Sequence, residues 1–375
     1  MISRRALIGG AGAAFAGKAA RGQIAGPYVA PPTLPWRSDR VKLGVYCGYG
    51  RTNANNIASM QSLLRRTIPL GVGFLGYDDA TTLKVTVGNA ITGSGGAVGG
   101  YAALGVANVS LAVPLAVTGV SLDQVTAGAL DTVYNDNTGI GGINGICQQL
   151  AALGYTAPYI RLGHEFNVGI GLWPWYCDDT TGRNAASYNA AFRHVVLNDI
   201  RPALPGAKIV WNPAAGKNNV ANVEDYYPGD DVVDVIGVDQ YNYGGLDIDK
   251  TDPIARWMNE TYGCLGTATV GTQYPFRLQW AIAFAKAHGK QFAIPEMGTG
   301  FLPGNAPWNM GDDGSVYMTN ILGLANNPAN NCAFIGMGDV IWGSPANYNT
   351  RISFFTSDPG DYKPNCRTAM ITAFS

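Results

Sequence analysis

The sequence predicts a (β/α)8 barrel, a single α/β domain, and three observations predict it. Short apolar runs alternate with stretches of helical spacing along most of the chain, the pattern of parallel βαβ units. The runs are apolar almost throughout, as strands buried on both faces must be. Eight such units can be followed, and none is trailed by a G-x-G-x-x-G or P-loop sequence. A closed barrel is therefore favoured over an open nucleotide-binding sheet.

The elements follow in order. Val41 to Tyr46 is the first strand, and Asn55 to Arg66 has helical spacing in Ile57, Met60, Leu63 and Leu64. Gly71 to Tyr77 is the second strand, ending in Asp78 and Asp79. Residues 88 to 105 are rich in Gly and Ala and carry no periodic signal. Asn108 to Pro114 is the third strand. Ile143 to Leu153 is a helix stopped by Gly154, and the fourth strand runs from Tyr159 towards Glu165. Tyr188 to Ile200 is helical, with Pro202 and Pro205 past its end. Ala207 to Asn212 is the fifth strand, and Val232 to Tyr241 contains the sixth. Phe276 to His288 is a helix before Gly289, Gln291 to Glu296 the seventh strand, and Ser315 to Leu324 a helix. The segment from Ala333 through Met337 to Ile341 and Trp342 holds the eighth strand.

Composition narrows the function. The chain has 375 residues, and its 25 basic and 26 acidic side chains nearly cancel. That balance leaves no electrostatic footprint for nucleic acid or an anionic membrane. Charged residues make up only 14%, against about 25% in ordinary globular domains. The polar surface must then rest on Asn, Thr, Ser, Gln and backbone. Residues 1–20 read as a leader, with a twin-arginine pattern in Ser3, Arg4, Arg5 and Ala6 before a Gly/Ala-rich apolar run to Gly17. Residues 21–40 form a Pro- and Gly-rich linker or wrap, and 41–375 the barrel domain. The expected location is outside the cytoplasm, periplasmic or extracellular, with no membrane insertion once the leader is removed. The six cysteines contain no CxxC pair, so they allow up to three disulfides or a set of buried thiols.

Chemistry concentrates where two strands end. Arg161, His164, Glu165 and Asn167 crowd polar groups onto the end of the fourth strand, followed by Trp173, Trp175 and Tyr176. Glu296 stands at the end of the seventh. In a barrel these ends meet at one face. Cleaving a glycosidic bond needs two carboxyl groups, one to protonate the leaving oxygen and one to attack the anomeric carbon or activate water. Glu165 and Glu296 are the expected pair. Asp239 and Asp339 also lie near strand ends and carry less weight. Trp211, Tyr241, Tyr243, Trp308 and Trp342 fall at or after other strand ends. There they would offer flat rings to the apolar faces of sugars. His164 is expected to hydrogen-bond substrate or a carboxylate, since only three histidines exist and none is spaced to share a metal with it. The absence of a G-x-S-x-G sequence speaks against a serine hydrolase.

These residues resemble glycoside hydrolase family 26. Arg161 to Asn167 with Trp173 to Trp175 is similar to that family's strand-4 segment, which reads R-P-x-H-E-x-N-G before W-x-W-like aromatics. Val210 to Pro213 resembles its strand-5 segment. Tyr226 to Asp231, running on through Gly237 to Asn242, resembles Y-Y-P-G-D-x-Y-V-D-W-V-G-x-D-x-Y-N. Pro295 to Gly298 resembles the segment around its nucleophile. The likeness spans about residues 159 to 298. It implies a barrel of the retaining glycosidase clan, with Glu165 as general acid/base and Glu296 as nucleophile. It also implies His164 and Tyr241 as hydrogen-bond partners of the carboxylates, Trp175 and Trp342 as sugar-stacking residues, and no cofactor. The chain departs from the family pattern at Gly163, Val168, Gln240, Tyr243 and Pro295.

The expectation is thus an exported hydrolase, endo-acting on a β-linked polysaccharide or oligosaccharide, either mannan-type or a bacterial exopolysaccharide. The alternatives are a non-catalytic carbohydrate-binding protein and a transglycosylase on the same fold. The substrate is the one partner expected, with nucleic acid excluded.

Overall fold

The computed structural model describes residues 40–46, 57–62, 64–92, 100–139, 142–168, 171–216, 219–242, 276–299, 314–338 and 364–374, with short pieces at 257, 264–265, 269–270, 341–342 and 348–349. The leader and nearly all of the linker, Cys47, Tyr243, Trp308 and Asp339 lie outside the described residues.

Eight parallel strands close into a barrel: β1 (Lys42–Tyr46), β2 (Leu70–Phe74), β3 (Asn108–Val113), β4 (Tyr159–Leu162), β5 (Lys208–Trp211), β6 (Val235–Gly237), β7 (Gln291–Thr299) and β8 (Cys332–Gly338). Each pairs with the next, and β8 pairs back onto β1 from Lys42 beside Phe334 to Tyr46 beside Gly338. The sixth strand is interrupted. Val235–Gly237 pairs with the start of β7, and Gln240–Asn242 resumes beside Met297–Thr299. The eighth strand ends at Gly338; Ile341–Trp342 is not its continuation but pairs antiparallel with Tyr348–Asn349.

Strand period 2 sorts the side chains. Leu70, Tyr159, Val210, Val235, Ala293 and Phe334 form one buried cluster that fills the barrel from the inward phase of its strands, joined by Ala333. The intervening residues, such as Ile160, Leu162, Ile209, Ile236 and Ile294, join the larger core beneath the helices. The helices include α1 (Ala80–Thr92), α2 (Leu122–Thr126), α3 (Ile146–Ala152), α4 (Ala185–His194), α5 (Leu278–Ala287), α6 (Ser315–Asn326) and α7 (Pro364–Phe374). Helix α4 starts three residues before the expected Tyr188, because the Asn184 side chain accepts the Ser187 N–H and caps it. It then runs into a π-helical segment, Val195–Ile200. No helix among the described residues is long and apolar enough to cross a membrane. Cys147, Cys177 and Cys332 are free, buried thiols, and Cys366 is buried as well.

Candidate active site

Three backbone devices aim side chains into the mouth of the barrel. The first is the turn after β4. Gly163 has φ +56°, and a Cβ there would stand 2.9 Å from Leu115 Cβ, so glycine answers both conformation and space. Glu165 has φ +50°, a left-handed conformation that costs a non-glycine residue about 1–2 kcal/mol. Its N–H donates to the Asn212 carbonyl at the end of β5 (2.7 Å), which helps hold it there.

The second device is a bulge in β7. Ile294 lies beside Ile335 and Met297 beside Met337, so three steps along β7 match two along β8. The extra residue lets Pro295 and Glu296 both face inward. Pro295 fills the space over Gly237, and its carbonyl oxygen sits over Gly336, where a Cβ would overlap it. Met297 returns to the helix-facing core. A proline at this point gives up no ladder hydrogen bond that a bulge would have kept.

The third device is Arg161, the inward residue of β4 and fully buried. One guanidinium nitrogen donates to Glu296 Oε1 at 2.5 Å, and the guanidinium lies 5.0 Å from the Phe74 ring. Burial works against the cation, but Glu296 and Asp239 raise its pKa above the ordinary arginine value. Tyr241 Oη donates to the other Glu296 oxygen at 2.9 Å. The strand carrying Tyr241 is held by Tyr317, whose hydroxyl donates to the Gln240 carbonyl.

Three carboxyl groups converge: one oxygen each of Glu165, Asp239 and Glu296 lie within 4.8 Å of one another. Burial and the charge of Glu296 push Glu165 up to about 8, against the opposing pull of Arg161. Asp239 is 3% exposed, with the Asn212 side chain beside it and the Arg161 guanidinium 4.0 Å away. Burial first, then Glu296 and Glu165, hold it well above the carboxylate range. Sequence reasoning gave Asp239 too little weight, although it continues the inward alternation of Val235 and Gly237. Phe74, the inward end of β2, was missed on the same count.

His164 is buried and kept neutral, first by burial and then by Arg161. Its ring lies 5.2 Å from Trp173 and 5.6 Å from Trp175, which stack on each other with an 8° interplanar angle.

Four expected substrate contacts need correction. Trp175 is fully buried and donates its indole N–H to the His164 carbonyl, so it backs Trp173 rather than presenting a face to a sugar. Trp211 points outward into the core against Phe166, Tyr227, Trp280 and Phe284, because it is an odd-phase residue of β5. Asn167 spends its whole amide on the loop after β5, accepting from Ala214 N and donating to the Ala214 and Gly216 carbonyls. Arg161 reaches Glu296 from below with no exposed surface of its own. Trp342 lies in the short strand Ile341–Trp342, and its side chain is outside the described residues.

Beside this pocket opens a groove of about 440 Å³, lined by Tyr77, the loop from Val117 to Ser121, Gln124, Trp173, Tyr176 and Arg183. Trp173, whose ring lies beside that of His164, is also part of the groove's lining. Arg183 lies flat over the Tyr176 ring at 3.8 Å and donates to the Pro174 and Tyr176 carbonyls. Neither Gln124 nor Arg183 stands out in the sequence, since neither follows a strand directly.

Residues 117–261 match the model of glycosyl hydrolase family 26. Among solved structures the chain is similar to the Bacillus subtilis mannanase BCman, at 15% identity and a TM-score of 0.50, covering 89% of this chain and 94% of that one. It is also similar to a double mutant of the Cellulomonas fimi endo-β-1,4-mannanase, at 17% identity and a TM-score of 0.50, covering 90% and 71%. At these identities the likeness speaks for the shared barrel. No curated protein sequence matches the chain.

Proposed function

We propose that this chain is a glycoside hydrolase of family 26, whose model matches residues 117–261, and that it cleaves a β-linked, mannan-type glycan by double displacement. Glu296 is the nucleophile and Glu165 the general acid and base. The observation that carries this reading is the approach of Glu165 and Glu296 to within 4.8 Å, oxygen to oxygen. Inverting enzymes hold their carboxyl groups about 6.5–9.5 Å apart to seat a water between them, and retaining ones about 5–5.5 Å. A closest approach below the inverting range favours the retaining arrangement, with Glu296 able to reach the sugar carbon itself.

The chemistry follows from the two environments. Glu165, protonated below about pH 8, gives its proton to the glycosidic oxygen as the C–O bond breaks. Glu296 attacks the anomeric carbon and forms a glycosyl ester. Arg161 and Tyr241 hold one carboxylate oxygen each and so fix the attacking group. Esterification removes the charge of Glu296, which is one of the two causes raising Glu165. Glu165 then becomes the better base, takes a proton from water, and the hydroxide displaces Glu296. His164 and Trp173 form the wall on the groove side. The groove offers space for further sugar units, which supports endo action. The names of the similar structures support mannan over other β-glycans, and the leader sequence supports export.

The test is reducing-end release from galactomannan, glucomannan, mixed-linkage β-glucan, xylan and bacterial exopolysaccharides, with wild type and Glu296→Ala in parallel. Wild type should release ends from the mannans, and the variant should be slower by about 10⁴-fold or more. Anomeric proton NMR during the first turnovers should show the β-anomer accumulating first. Early release of the α-anomer would refute double displacement, and products longer than the substrate would indicate transglycosylation instead.

A further inference from the structure

A second cluster lies outside the barrel mouth, in the helical layer between β3 and β5. We propose that Asp131, His194 and Asp199 form a binding site for one divalent first-row transition ion of the zinc class. One oxygen of each aspartate and one ring nitrogen of His194 lie within 4.8 Å of one another. Ligands on one tetrahedral or octahedral ion, each about 2.0–2.2 Å from it, stand roughly 3–4 Å apart, so small side-chain adjustments suffice. His194 Nε2 is 2.8 Å from Asp131 Oδ1.

Asp199 is the independent observation. It is 3% exposed, its Oδ2 has no hydrogen-bond partner, and no Lys or Arg pairs with it among the described residues. A buried carboxyl without a partner costs free energy that an ion in this position would return. The groups around it are Asp131, His194, Tyr134 and Cys147. The Tyr134 hydroxyl already donates to the Pro114 carbonyl. Cys147 is not among the groups whose ligand atoms converge there. The available donors are therefore one imidazole and two carboxylates. That set suits zinc and its neighbours better than magnesium or calcium, which prefer oxygen alone.

The helix geometry explains how the donors meet. His194 and Asp199 are five residues apart, which on an α-helix puts them about 140° away from each other. Val195–Ile200 is instead π-helical, with its hydrogen bonds widened to i→i+5. The wider turn brings Asp199 beneath His194 and onto the face that meets Asp131. Asn198 completes the arrangement: its amide lies 2.9 Å from His194 Nδ1. With the amide turned so that its oxygen accepts Nδ1–H, Nε2 presents its lone pair, and an ion would replace its present contact with Asp131 Oδ1 while the ring stays oriented.

The experiment is titration of the full chain, first stripped with chelator, with Zn2+ and with Co2+. Bound metal is counted after equilibrium dialysis, and the visible absorption of Co2+ reports its ligands. His194→Gln and Asp131→Asn accompany wild type. Wild type should bind one ion per chain with a thermal midpoint that rises on Zn2+ addition. Each variant should lose affinity by at least tenfold and lose the rise, while cleaving polysaccharide at the wild-type rate without added metal. Absence of binding to wild type up to millimolar Zn2+ would overturn the proposal. So would equal binding by all three proteins, which would place the ion elsewhere. Because the readouts are metal content and melting, a failure of the glycosidase reading leaves this test intact.

Discussion

Glu165 carries two burdens that can be separated by experiment. Its backbone is left-handed and its carboxyl is pushed up to about 8 from an ordinary 4.5, first by burial and then by Glu296. A carboxyl raised on folding stabilises the protein fully below the unfolded value. That contribution is lost as pH climbs from about 4.5 through about 8. Glu165→Gln removes the ionisation altogether. The variant should be inactive, yet its thermal midpoint relative to wild type should rise between pH 5 and pH 9. In wild type, kcat/KM should fall as pH passes about 8, because the acid then arrives deprotonated. A midpoint difference that stays flat with pH would show that the carboxyl is not protonated in the folded state. The convergence of the two glutamates was legible, since two acids at two strand ends needed only the strand pattern to be brought together. Direction was harder to read. Trp175 and Asn167 sit in the turn after Glu165, where two left-handed residues break the alternation that would have sorted inside from outside.

At the scale of elements, the bulge in β7 decides whether Glu296 faces its partners. The Pro295 carbonyl oxygen occupies the space a side chain at 336 would need. Gly336→Ala should therefore push the bulge away from β8, destabilise the fold by about 1–3 kcal/mol, and lower kcat much more than it changes KM. Denaturant unfolding and steady-state kinetics on mannan check both parts. An alanine variant with unchanged kcat would mean that the bulge does not position Glu296. The strands themselves were read closely: β3 and β5 begin and end within a residue of expectation, because apolar runs between Gly and Pro leave few alternatives. Helix α1 was not read, because Thr81, Thr82, Val85, Thr86 and Val87 are β-branched and weak helix formers, and only its last turn falls in the Gly- and Ala-rich stretch. The bulge, the break in the sixth strand and the π-helical turn were also illegible. Each shifts register by one residue through tertiary packing, which local propensity does not record.

For the whole molecule, the scarcity of charge has a measurable consequence. The net charge is −1 and the ion pairs that matter to the carboxyl cluster are buried. A neutral mannan approaching such a surface feels little long-range field, so kcat/KM should change less than about twofold between 0.01 M and 0.5 M salt. An acidic exopolysaccharide would behave differently beside Arg183, and a steep fall with salt would point to that class of polymer.

Barrel closure also constrains how the chain can be made. One edge of the first strand pairs with β2, and the other is covered only by the last strand, Lys42 beside Phe334. A chain still emerging from the ribosome has nothing to place against that edge until nearly all of it has been synthesised. Until then β1 and β7 present open edges of unpaired backbone, the kind that recruits other chains. Closing so long a loop is slow. Shielding of the nascent half-barrel should accordingly limit the yield of soluble protein more than the stability of the finished ring does.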